Sequence, residues 1–504
     1  MTESLPLVIV TIPSRTLEAT RAEVAELVPH GAGAVEIRFD RWAREDLRRA
    51  AELFPSPLPL LATYRSTAEG GAGLDDLRDR TKILSALADL PFAYLDLELR
   101  RDRALIASVG ARPQRPTLIL SCHLRANDTA EKVSELLSGH QPRGAIVKVV
   151  LPCGVGRFYR EVRPLLRSGG SIRPEIVLTT GASGSLIRAL APRFGFAAVF
   201  AAPPSRDLRL RGESAVEPSQ LPVDRLRRFY DAGEFGRLFA VAGHPIGHSL
   251  SPAVHTLWMS EEGKPGLYLA LDIESEEELA HVLRPLGEDG LLGMNVTHPW
   301  KDAALRLADR CGPAAERAGC ANVLVRTDRV WRAENFDVSA TVRRLGELRE
   351  SGAWSDDRLL VIGTGGAARA TLVAASELGA SAEILGRSAS HVARLAREFG
   401  VEVSRISSAP ASLIVHATPA GRSGVPSLDV PWTERCGSGT YVLDFVYRPD
   451  RPFLGEMTTH YGGRYEDGAR LLVYQAAESF GAFWDARPSL ALEEKALREV
   501  VCAA

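Results

Sequence analysis

Two lysines occupy positions where an ordinary surface cation would not be expected. Lysine accounts for only six of the 61 basic residues in this 504-residue chain, and the others are arginines. Lys148 lies inside the apolar run IVKVV, and Lys301 enters a helix directly after the turn THPW. Since lysine can lose its proton whereas arginine cannot, lysines at such positions indicate nucleophilic attack or proton transfer. We expect desolvation to lower the pKa of Lys148 and to make it a Schiff-base nucleophile.

Ionisable or hydroxyl side chains accompany both lysines. His123 ends a neighbouring apolar run and can act as a base that titrates near neutral pH. Asp337 opens a helix in ENFDVSA, where it either caps that helix or forms a proton-transfer dyad with the nearby lysine. Ser251 is expected to cap a helix whose first residue is Pro252. That assignment leaves the hydroxyl of Ser249 for a polyol or a carboxylate.

A glycine-rich turn indicates a nucleotide-binding unit. The stretch LLVIGTGGAARA at 359–370 reads as a buried strand, a turn and a helix, which is the pyrophosphate-binding unit of an α/β domain. The residues expected to face the phosphates are Gly363, Gly365, Gly366 and Ala367. Arg387 and Ser388 follow the next strand, where NAD enzymes place an acidic residue. Because a guanidinium binds a 2′-phosphate that a carboxylate would repel, NADP is the expected cofactor.

The first half of the chain contains the elements that must position Lys148 and His123. Eight apolar runs alternate with helix-like or loop segments, which predicts a (β/α)8 barrel. The runs begin at Leu5, Ala34, Leu58, Phe92, Pro116, Gly144, Glu175 and Ala197. Polar residues such as Glu36, Arg38 and Arg65 collect at the ends of the runs, where barrels carry their chemistry. Each of these residues could instead be one partner of a buried ion pair.

Composition is typical of a soluble globular protein and excludes several classes of function. Hydrophobic residues make up 45% and charged residues 25% of the chain, both ordinary values. A net charge of −2 gives no broad basic field for nucleic acid. The chain has neither a signal-peptide pattern nor a membrane-length apolar stretch, and its six cysteines lack metal-type spacing. We expect a cytoplasmic protein with small-molecule substrates, no metal, no nucleic acid and no membrane partner; no oligomeric state is predicted.

The first half of the chain resembles the type I 3-dehydroquinate dehydratases at the lysine, the histidine and the polar strand-end residues described above. The resemblance extends over nearly all of the first 225 residues. The matching stretches are VEIRFD, YRSTAEGG, ILSCHL, IVKVV and GASGSLIRAL. The resemblance implies that Lys148 forms an imine with the ketone of 3-dehydroquinate, His123 moves a proton and Glu69 is the partner of the histidine. It also implies that hydroxyls and the carboxylate are held by Glu36, Arg38, Arg65 and Arg188. Gln220 matches a closing-loop glutamine, although the loop lacks the family's APGQ pattern and has Val216 in place of a serine.

The second half resembles the shikimate dehydrogenases from about residue 238 to residue 490. The matching stretches are GHPIGHSLSP, NVTHPWK, ENFDVSA, GTGGAARA, GRS, HATPAG, VLDFVYRP and LLVYQAAESF. The resemblance implies that Lys301 and Asp337 are the catalytic pair and that Thr418 and Gly468 lie near the cofactor. It implies substrate contacts from Ser249, Ser251, Thr297, Asn322, Tyr447 and Gln475. The departures from the family pattern are Phe336, Ser339 and Gly386.

We therefore predict an α/β chain in which an N-terminal (β/α)8 barrel precedes a two-domain dehydrogenase with a Rossmann-like NADP domain. The expected domains are 1–232 for the barrel, 237–341 plus 468–504 for the substrate domain and 342–467 for the NADP domain. The expected function is dehydration of 3-dehydroquinate to 3-dehydroshikimate, then NADPH-dependent reduction to shikimate. Two alternatives stay open: an enzyme with altered preference for quinate, and a non-catalytic ligand-sensing regulator. A folate-type NADP dehydrogenase would not explain the barrel.

Overall fold

The computed structural model describes residues 5–125, 128, 142–167, 174–181, 184–205, 217–232, 236–405, 409–421, 425, 430–447 and 453–502. The stretch 129–137, whose amphipathic pattern predicts a helix-like segment between the fifth and sixth apolar runs, and Val216 both lie outside these residues. Contacts divide the chain into two compact units. The first comprises Met1–Leu238, Pro245–Gly247 and Pro265–Gly290, and the second comprises Phe239–His244, His248–Lys264 and Leu291–Ala504.

The first unit is built on eight parallel strands that coincide with the eight predicted apolar runs. They are β1 (Leu7–Ile12), β2 (Ala34–Arg38), β3 (Leu60–Thr63), β4 (Tyr94–Glu98), β5 (Thr117–His123), β6 (Ile146–Leu151), β7 (Ile176–Thr179) and β8 (Ala198–Ala201). They pair in the order β8-β1-β2-β3-β4-β5-β6-β7, with Ser121 of β5 beside Lys148 of β6. Parallel strands covered on both faces are continuously apolar, which made these strands readable from the sequence. The predicted barrel is confirmed.

Helices follow the strands of the first unit, as the alternating pattern predicted. They are α1 (Leu17–Glu26), α2 (Arg44–Arg48), α3 (Leu77–Ala88), α4 (Arg103–Gly110), α5 (Val155–Arg157), α6 (Arg163–Arg167), α7 (Gly184–Ala189) and α8 (Val223–Asp231). Side chains cap two of them: Thr16 accepts from the Ala19 N–H at 3.3 Å, and Asp76 accepts from the Asp79 N–H at 2.9 Å. A 3₁₀ turn, Thr67–Glu69, follows β3 and carries a predicted site residue.

The remaining strands and helices lie between residues 237 and 496. The strands are β9 (Arg237–Gly243), β10 (Gly266–Asp272), β11 (Leu291–Val296), β12 (Arg310–Cys311), β13 (Val323–Thr327), β14 (Val330–Glu334), β15 (Arg358–Ile362), β16 (Ser381–Leu385), β17 (Glu402–Val403), β18 (Leu413–His416), β19 (Tyr441–Asp444) and β20 (Arg464–Glu466). The helices are α9 (Ser251–Glu261), α10 (Glu276–Glu288), α11 (Lys301–Leu307), α12 (Pro313–Ala318), α13 (Phe336–Glu350), α14 (Gly366–Glu377), α15 (Ala389–Phe399), α16 (Phe453–His460), α17 (Ala469–Trp484) and α18 (Leu490–Ala496). No helix among the described residues is long and apolar enough to cross a bilayer.

Two sheets organise the second unit. In the first, β9, β11, β13, β14 and β12 lie side by side in that order, and β13 is antiparallel to both of its neighbours. The second is fully parallel, with the order β17-β16-β15-β18-β19-β20. Successive strands are added on one side of β15 up to β17 and on its other side from β18 onward, so the strand order reverses between β15 and β18. Open α/β sheets bind nucleotides at such a switch point. The Rossmann-like sheet is therefore present as predicted.

The start of α9 corrects one sequence prediction. Ser251 is the first helical residue and Leu250 takes the cap position, with φ −92° and ψ −5°. The Ser251 N–H donates to Ser249 Oγ at 3.3 Å. The prediction that Ser251 caps a helix beginning at Pro252 is wrong, because the chain enters the helix one residue earlier and Ser249 supplies the acceptor.

Candidate active sites

Lys148 forms an ion pair inside the barrel. Its Nζ donates to Asp96 Oδ2 at 2.7 Å and lies 4.5 Å from the centre of the Phe200 ring. Only 4% of the lysine is exposed. Because side chains alternate along a strand, Lys148 shares the interior face of β6 with Ile146 and Val150, which pack in the barrel core. The purely apolar setting predicted from the flanking residues is wrong, since a carboxylate is in contact with the ammonium.

Charged side chains connect this ion pair to His123. Asp96 Oδ1 accepts from Arg65 Nη2 at 2.7 Å and from Ser121 Oγ at 2.6 Å. Arg65 also donates to Glu69 Oε2 at 3.1 Å, and the same oxygen lies 2.8 Å from His123 Nδ1. The structure thus brings the predicted partners Glu69 and His123 into contact, and Arg65 joins them to Asp96.

The cluster sets the protonation of its members. Burial opposes ionisation of Asp96, but Arg65 and Lys148 outweigh it and lower the pKa of Asp96. Burial, together with the same two cations, lowers the pKa of His123 well below its ordinary value of 6.5. The sequence predicted that His123 titrates near neutral pH; because its pKa lies well below 6.5, the imidazole is instead neutral at that pH. A neutral imidazole that donates Nδ1–H to a carboxylate such as Glu69 keeps Nε2 as a base.

Glu36 and Gln220 belong to a second set of hydrogen bonds in the barrel. Glu36 accepts from Thr63 Oγ1 at 2.8 Å and from Thr11 Oγ1 at 2.7 Å. Thr11 Oγ1 in turn accepts from Gln220 Nε2 at 3.1 Å. Gln220 is 5% exposed, and within the described part of the chain its Oε1 has no hydrogen-bond partner. Because leaving a buried acceptor unpaired is costly, this oxygen suits a hydroxyl donor from a ligand.

The arginines Arg38 and Arg188 are held by other protein groups. Arg38 donates to both carboxylate oxygens of Asp40 at 2.8 Å. Arg188 is 2% exposed, and its Nη2 lies 3.2 Å from Glu217 Oε2. Its other donors bind the carbonyls of Thr179, Gly184 and Phe200 and the hydroxyl of Ser219. Substrate binding by these two arginines stays a prediction.

A cavity of about 390 Å³ lies at the carboxyl ends of the barrel strands. Its lining residues are Ala68, Glu69, Arg100, Arg101, His123, Leu124, Arg125, Val150, Pro152 and Thr180. Lys148 does not line the cavity, and is connected to Glu69 and His123 by Asp96 and Arg65. The barrel site therefore has an open part that contains the base and a buried part that contains the amine.

In the second unit, one cavity of about 570 Å³ is lined by every residue that the sequence predicted for this half. Those residues are Ser249, Ser251, Thr297, Lys301, Asn322, Asp337, Gly363, Gly365, Gly366, Ala367, Arg387, Ser388, Thr418, Tyr447, Gly468 and Gln475. They come from both sheets of the unit, so the glycine turn and the predicted substrate residues face the same space.

Lys301 and Asp337 are in direct contact in this cavity. Lys301 Nζ donates to Asp337 Oδ2 at 2.5 Å, and Asn322 Nδ2 donates to Asp337 Oδ1 at 3.0 Å. Asn335 is the cap residue of α13, so Asp337 does not cap the helix and its carboxylate is available to the lysine. Asn322 Oδ1 accepts from the Phe336 N–H at 2.7 Å, which fixes the amide that holds the aspartate. Of the two alternatives left by the sequence, the structure excludes the helix cap and contains the lysine–aspartate contact; proton transfer by that pair stays a prediction.

Gln475 of α17 extends this network. Its Oε1 accepts from Asn322 Nδ2 at 3.4 Å and from Asn295 Nδ2 at 3.2 Å. Asn295 also donates to Ser479 Oγ at 2.9 Å. The helix that begins after Gly468 therefore brings Gln475 to Asn322, the residue that donates to Asp337 of the lysine–aspartate pair.

The glycine turn fits a dinucleotide. Gly363 follows β15 with φ +128°, and a Cβ there would lie 2.6 Å from the Ala417 carbonyl oxygen. Helix α14 begins at Gly366 without a side-chain cap, so its first N–H groups are available to a phosphate. A Cβ at Gly366 would lie 2.9 Å from Lys301 Cδ, whereas at Gly365 it would meet no described atom within 4 Å. The turn thus packs on Lys301 at Gly366 and leaves room for a ligand at Gly365.

Arg387 and Ser388 stand at the edge of the same cavity, after β16. Ser388 caps α15 by accepting from the His391 N–H at 3.3 Å. Arg387 is exposed and forms no ion pair with any carboxylate that the structure describes. An exposed, uncompensated guanidinium at this place fits a phosphate on the ribose of a dinucleotide.

Sequence reasoning missed Asp96, Ser121 and Asn295. Asp96 and Ser121 are buried polar residues inside apolar strands, and Asn295 interrupts the run LLGMNV in the same way. Buried polar side chains need partners, so each interruption was a signal. The partners lie on other strands, and the runs alone do not identify them.

These two sites define an α/β enzyme with a barrel unit and a dinucleotide-dependent dehydrogenase unit. Residues 8–265 match the type I 3-dehydroquinase family, and residues 241–324 match the shikimate dehydrogenase substrate binding domain. The chain belongs to the type I 3-dehydroquinase family in its first half and to the shikimate dehydrogenase family in its second half.

Individual proteins are similar to the second half or to nearly the whole chain. The chain is 34% identical over 268 residues to shikimate dehydrogenase (NADP(+)) of Exiguobacterium sibiricum, which covers 52% of this chain and 97% of that protein. It is 28% identical over 509 residues to the chloroplastic bifunctional 3-dehydroquinate dehydratase/shikimate dehydrogenase of Arabidopsis thaliana, which covers 95% of this chain and 81% of that protein. The shikimate 5-dehydrogenase structure from Thermus thermophilus, in complex with NADP(H) and shikimate, has 31% identity and a TM-score of 0.46, covering 52% of this chain and 99% of that one.

Proposed function

We propose that the chain is a bifunctional enzyme of the shikimate pathway. Its barrel dehydrates 3-dehydroquinate to 3-dehydroshikimate, and its second unit reduces that product to shikimate with NADPH. The observation that carries the proposal is the pair of lysine–aspartate contacts, at 2.7 Å for Lys148 with Asp96 and 2.5 Å for Lys301 with Asp337. In each contact, an amine that can exchange a proton donates a hydrogen bond to a carboxylate, and the carboxylate keeps the amine in position.

In the barrel, Lys148 is the nucleophile. Its amine attacks the C3 ketone of 3-dehydroquinate and water leaves, so that an imine forms between Nζ and C3. The imine withdraws electrons from C2, and His123 Nε2 takes the C2 proton, which is possible because the imidazole is neutral. The C1 hydroxyl then takes this proton from His123 and leaves as water, and hydrolysis of the imine releases the product. Asp96 keeps Lys148 in position before the substrate binds.

Glu69 assists this step through its contact with the base, and Arg65 through its contact with Glu69. Glu69 accepts Nδ1–H of His123, which keeps Nε2 free to face the substrate. Burial raises the pKa of Glu69, while Arg65 opposes that increase. The remaining predicted residues would bind hydroxyls and the carboxylate: Glu36, Arg38, Arg65, Arg188 and Gln220.

In the second unit, Lys301 is the proton donor. NADPH, when bound, supplies a hydride to the substrate ketone. Lys301 donates a proton to the oxygen that becomes the new hydroxyl, while Asp337 holds the amine and Asn322 holds Asp337. Ser249, Ser251, Thr297, Tyr447 and Gln475 would bind the substrate hydroxyls and carboxylate.

The same proposal includes the domain boundaries and the cofactor contacts. The barrel would span 1–232, the substrate domain 237–341 plus 468–504, and the NADP domain 342–467. The turn from Gly363 to Ala367, with Thr418 and Gly468, would hold the pyrophosphate and the nicotinamide end. Arg387 and Ser388 would hold the 2′-phosphate.

A coupled assay tests the proposal. Wild-type protein given 3-dehydroquinate and NADPH should consume NADPH, whereas Lys148→Met and Lys301→Met should each block consumption. Lys148→Met should retain reduction of added 3-dehydroshikimate, and Lys301→Met should still release it from 3-dehydroquinate. Borohydride added with 3-dehydroquinate should increase the mass of the peptide that contains Lys148.

Lys264→Met is the matched control, since Lys264 is 21% exposed, close to the 18% of Lys301, and is paired with Glu262 outside the cavity. This variant should keep both reactions. Loss of both reactions in a folded Lys301→Met variant would contradict the separation of the two sites. An unmodified Lys148 peptide after borohydride treatment would contradict the imine.

A further inference from the structure

Three side chains, Asp444, His416 and Thr418, form a hydrogen-bonded row that ends at the dinucleotide cavity. His416 ends β18 and Asp444 ends β19, and the two residues are direct partners in the parallel register. His416 Nδ1 lies 2.7 Å from Asp444 Oδ1, and His416 Nε2 lies 2.7 Å from Thr418 Oγ1. Histidine and aspartate are both fully buried, whereas Thr418 is half-buried and lines the cavity. The row therefore exposes only its threonine to a ligand.

Asp444 is restricted to the role of acceptor. Besides His416, it accepts from the Val446 N–H at 2.9 Å through Oδ1 and from the Tyr465 hydroxyl at 2.9 Å through Oδ2. Burial, with the nearby carboxylate, raises the pKa of Tyr465, so the phenol stays protonated and donates. Both carboxylate oxygens receive hydrogen atoms, and the proton shared with the imidazole is therefore on His416 Nδ1.

This proton position determines what Thr418 can offer. A neutral imidazole with its hydrogen on Nδ1 accepts at Nε2, so the Thr418 hydroxyl donates its only hydrogen to His416. The Ala420 N–H donates to Thr418 Oγ1 at 3.2 Å and uses one lone pair. The remaining lone pair can face the cavity, where it would accept from an N–H or O–H and would repel a phosphate oxygen.

The row positions a ligand rather than attacking it. A threonine–histidine–aspartate row has the connectivity of a hydrolytic triad. Here, however, His416 has no exposed surface and is covered by Thr418, so it cannot reach a leaving group. The glycine turn packs against the same segment, because a Cβ at Gly363 would lie 3.1 Å from Thr418 Cγ2. Thr418 is thus held beside the turn that receives the dinucleotide.

We propose that His416 and Asp444 are positioning residues that hold Thr418 as an acceptor for a hydrogen-bond donor of the bound dinucleotide. The donor is the carboxamide N–H of the nicotinamide or a ribose hydroxyl. The inference rests on the proposed function only in taking the ligand to be NADP.

Calorimetric titration of the full chain with NADP⁺ tests the inference without using activity. Thr418→Val should raise Kd about tenfold, the usual effect of losing one hydrogen bond with a buried partner. Thr418→Ser should stay within about twofold, because it keeps the hydroxyl. Thr440→Val is the matched control. Thr440 lies at the amino-terminal end of β19, away from the strand ends that face the cavity, and its hydroxyl donates to the Ala411 carbonyl. This substitution should not change Kd.

The role of His416 is tested by a double-mutant cycle. His416→Leu should raise Kd, and adding Thr418→Val to it should raise Kd no further than Thr418→Val alone, because the histidine acts only through the threonine. Asp444→Asn provides a second variant that keeps side-chain volume and should also raise Kd. Additive losses, or an unchanged Kd in His416→Leu, would overturn the inference.

Two further measurements separate the possible outcomes. The 3-acetylpyridine analogue of NADP⁺ lacks the carboxamide N–H donors. If Thr418→Val weakens NADP⁺ but not this analogue, the carboxamide is the partner; equal weakening identifies a ribose hydroxyl, and both results support the inference. Absence of NADP⁺ binding by the wild-type chain would instead contradict the proposed function, whereas wild-type binding unaffected by Thr418→Val would overturn this inference alone.

Discussion

A buried histidine should make the second unit sensitive to acid. His255 lies on α9, is 1% exposed and packs against the rings of Trp258, Phe480 and Phe483, with centroids 5.7 to 6.0 Å away. Burial lowers the pKa of His255 from its ordinary value of 6.5 to about 3. The folded state thus keeps the imidazole neutral over a pH range in which the unfolded chain protonates it.

The sign and size of the effect follow from these two values. Because the folded pKa lies below the unfolded one, the unfolded chain binds more protons as pH falls, and stability that is complete above pH 6.5 is lost on acidification. The loss is about 1.4 kcal/mol for each pH unit below the unfolded pKa, which gives about 2 kcal/mol at pH 5. For a unit of this size we expect the Tm to fall by about 4–8 °C.

Thermal unfolding of wild-type protein and of His255→Gln at pH 7.5 and pH 5 measures the acid-induced loss of stability that is due to His255. Glutamine does not titrate, so the variant should lose about 4–8 °C less than the wild type between the two pH values. His460→Gln is the control, because His460 is an exposed histidine at the end of α16 and should leave the acid loss unchanged. If His255→Gln loses as much Tm as the wild type, desolvation of this histidine is not the cause.

Three more predictions concern the two sites. Asp96→Asn should destabilise the barrel by about 3–5 kcal/mol, more than Lys148→Met does, because it removes the carboxylate partner of the buried Lys148 and leaves Arg65 with only Glu69 and Glu98; equal losses in denaturant titrations would refute this account. The acid limb of dehydratase kcat/KM should lie below pH 6.5, because the lowered pKa of His123 keeps the base form present in weak acid; a limb at or above pH 6.5 would contradict the assigned base. Arg387→Ala should lower kcat/KM for NADPH about 10- to 100-fold, with little change for NADH, since hydrogen bonds to a charged group are lost; equal effects on the two cofactors would exclude a phosphate contact.

Local sequence was sufficient to predict the strands, and to predict which site residues meet wherever the strand order alone brings them together. The eight strands were readable because parallel strands buried on both faces have no polar alternation. The cavity of the second unit could be predicted from motifs far apart in sequence, because Gly363 and Thr418 both follow strands at the switch point. The carboxyl ends of β15 and β18 are adjacent, as the pairing of Ile362 with His416 shows.

Pairwise contacts across the barrel were not readable in this way. The residues flanking Lys148 on β6 suggested an apolar setting, but its immediate neighbours Val147 and Val149 point to the opposite face. The contact that matters comes from Asp96 on β4, two strands away, with Ser121 of β5 between them. Finding it would require both the strand order and the register, which no single apolar run contains.

The arginine and the two lysines of the sites differ in the number of contacts that they make and in whether they can lose a proton. Arg65 contacts Asp96, Glu69 and Ser121 at once, which suits a planar group with several donors and a fixed charge. Lys148 and Lys301 each make one short contact to a carboxylate, and a single-point ammonium can leave that contact when it transfers a proton. In a chain that otherwise prefers arginine, we propose that the two lysines mark the positions where the cation is temporary, whereas the arginine beside Lys148 provides a permanent charge that lowers the pKa of Asp96.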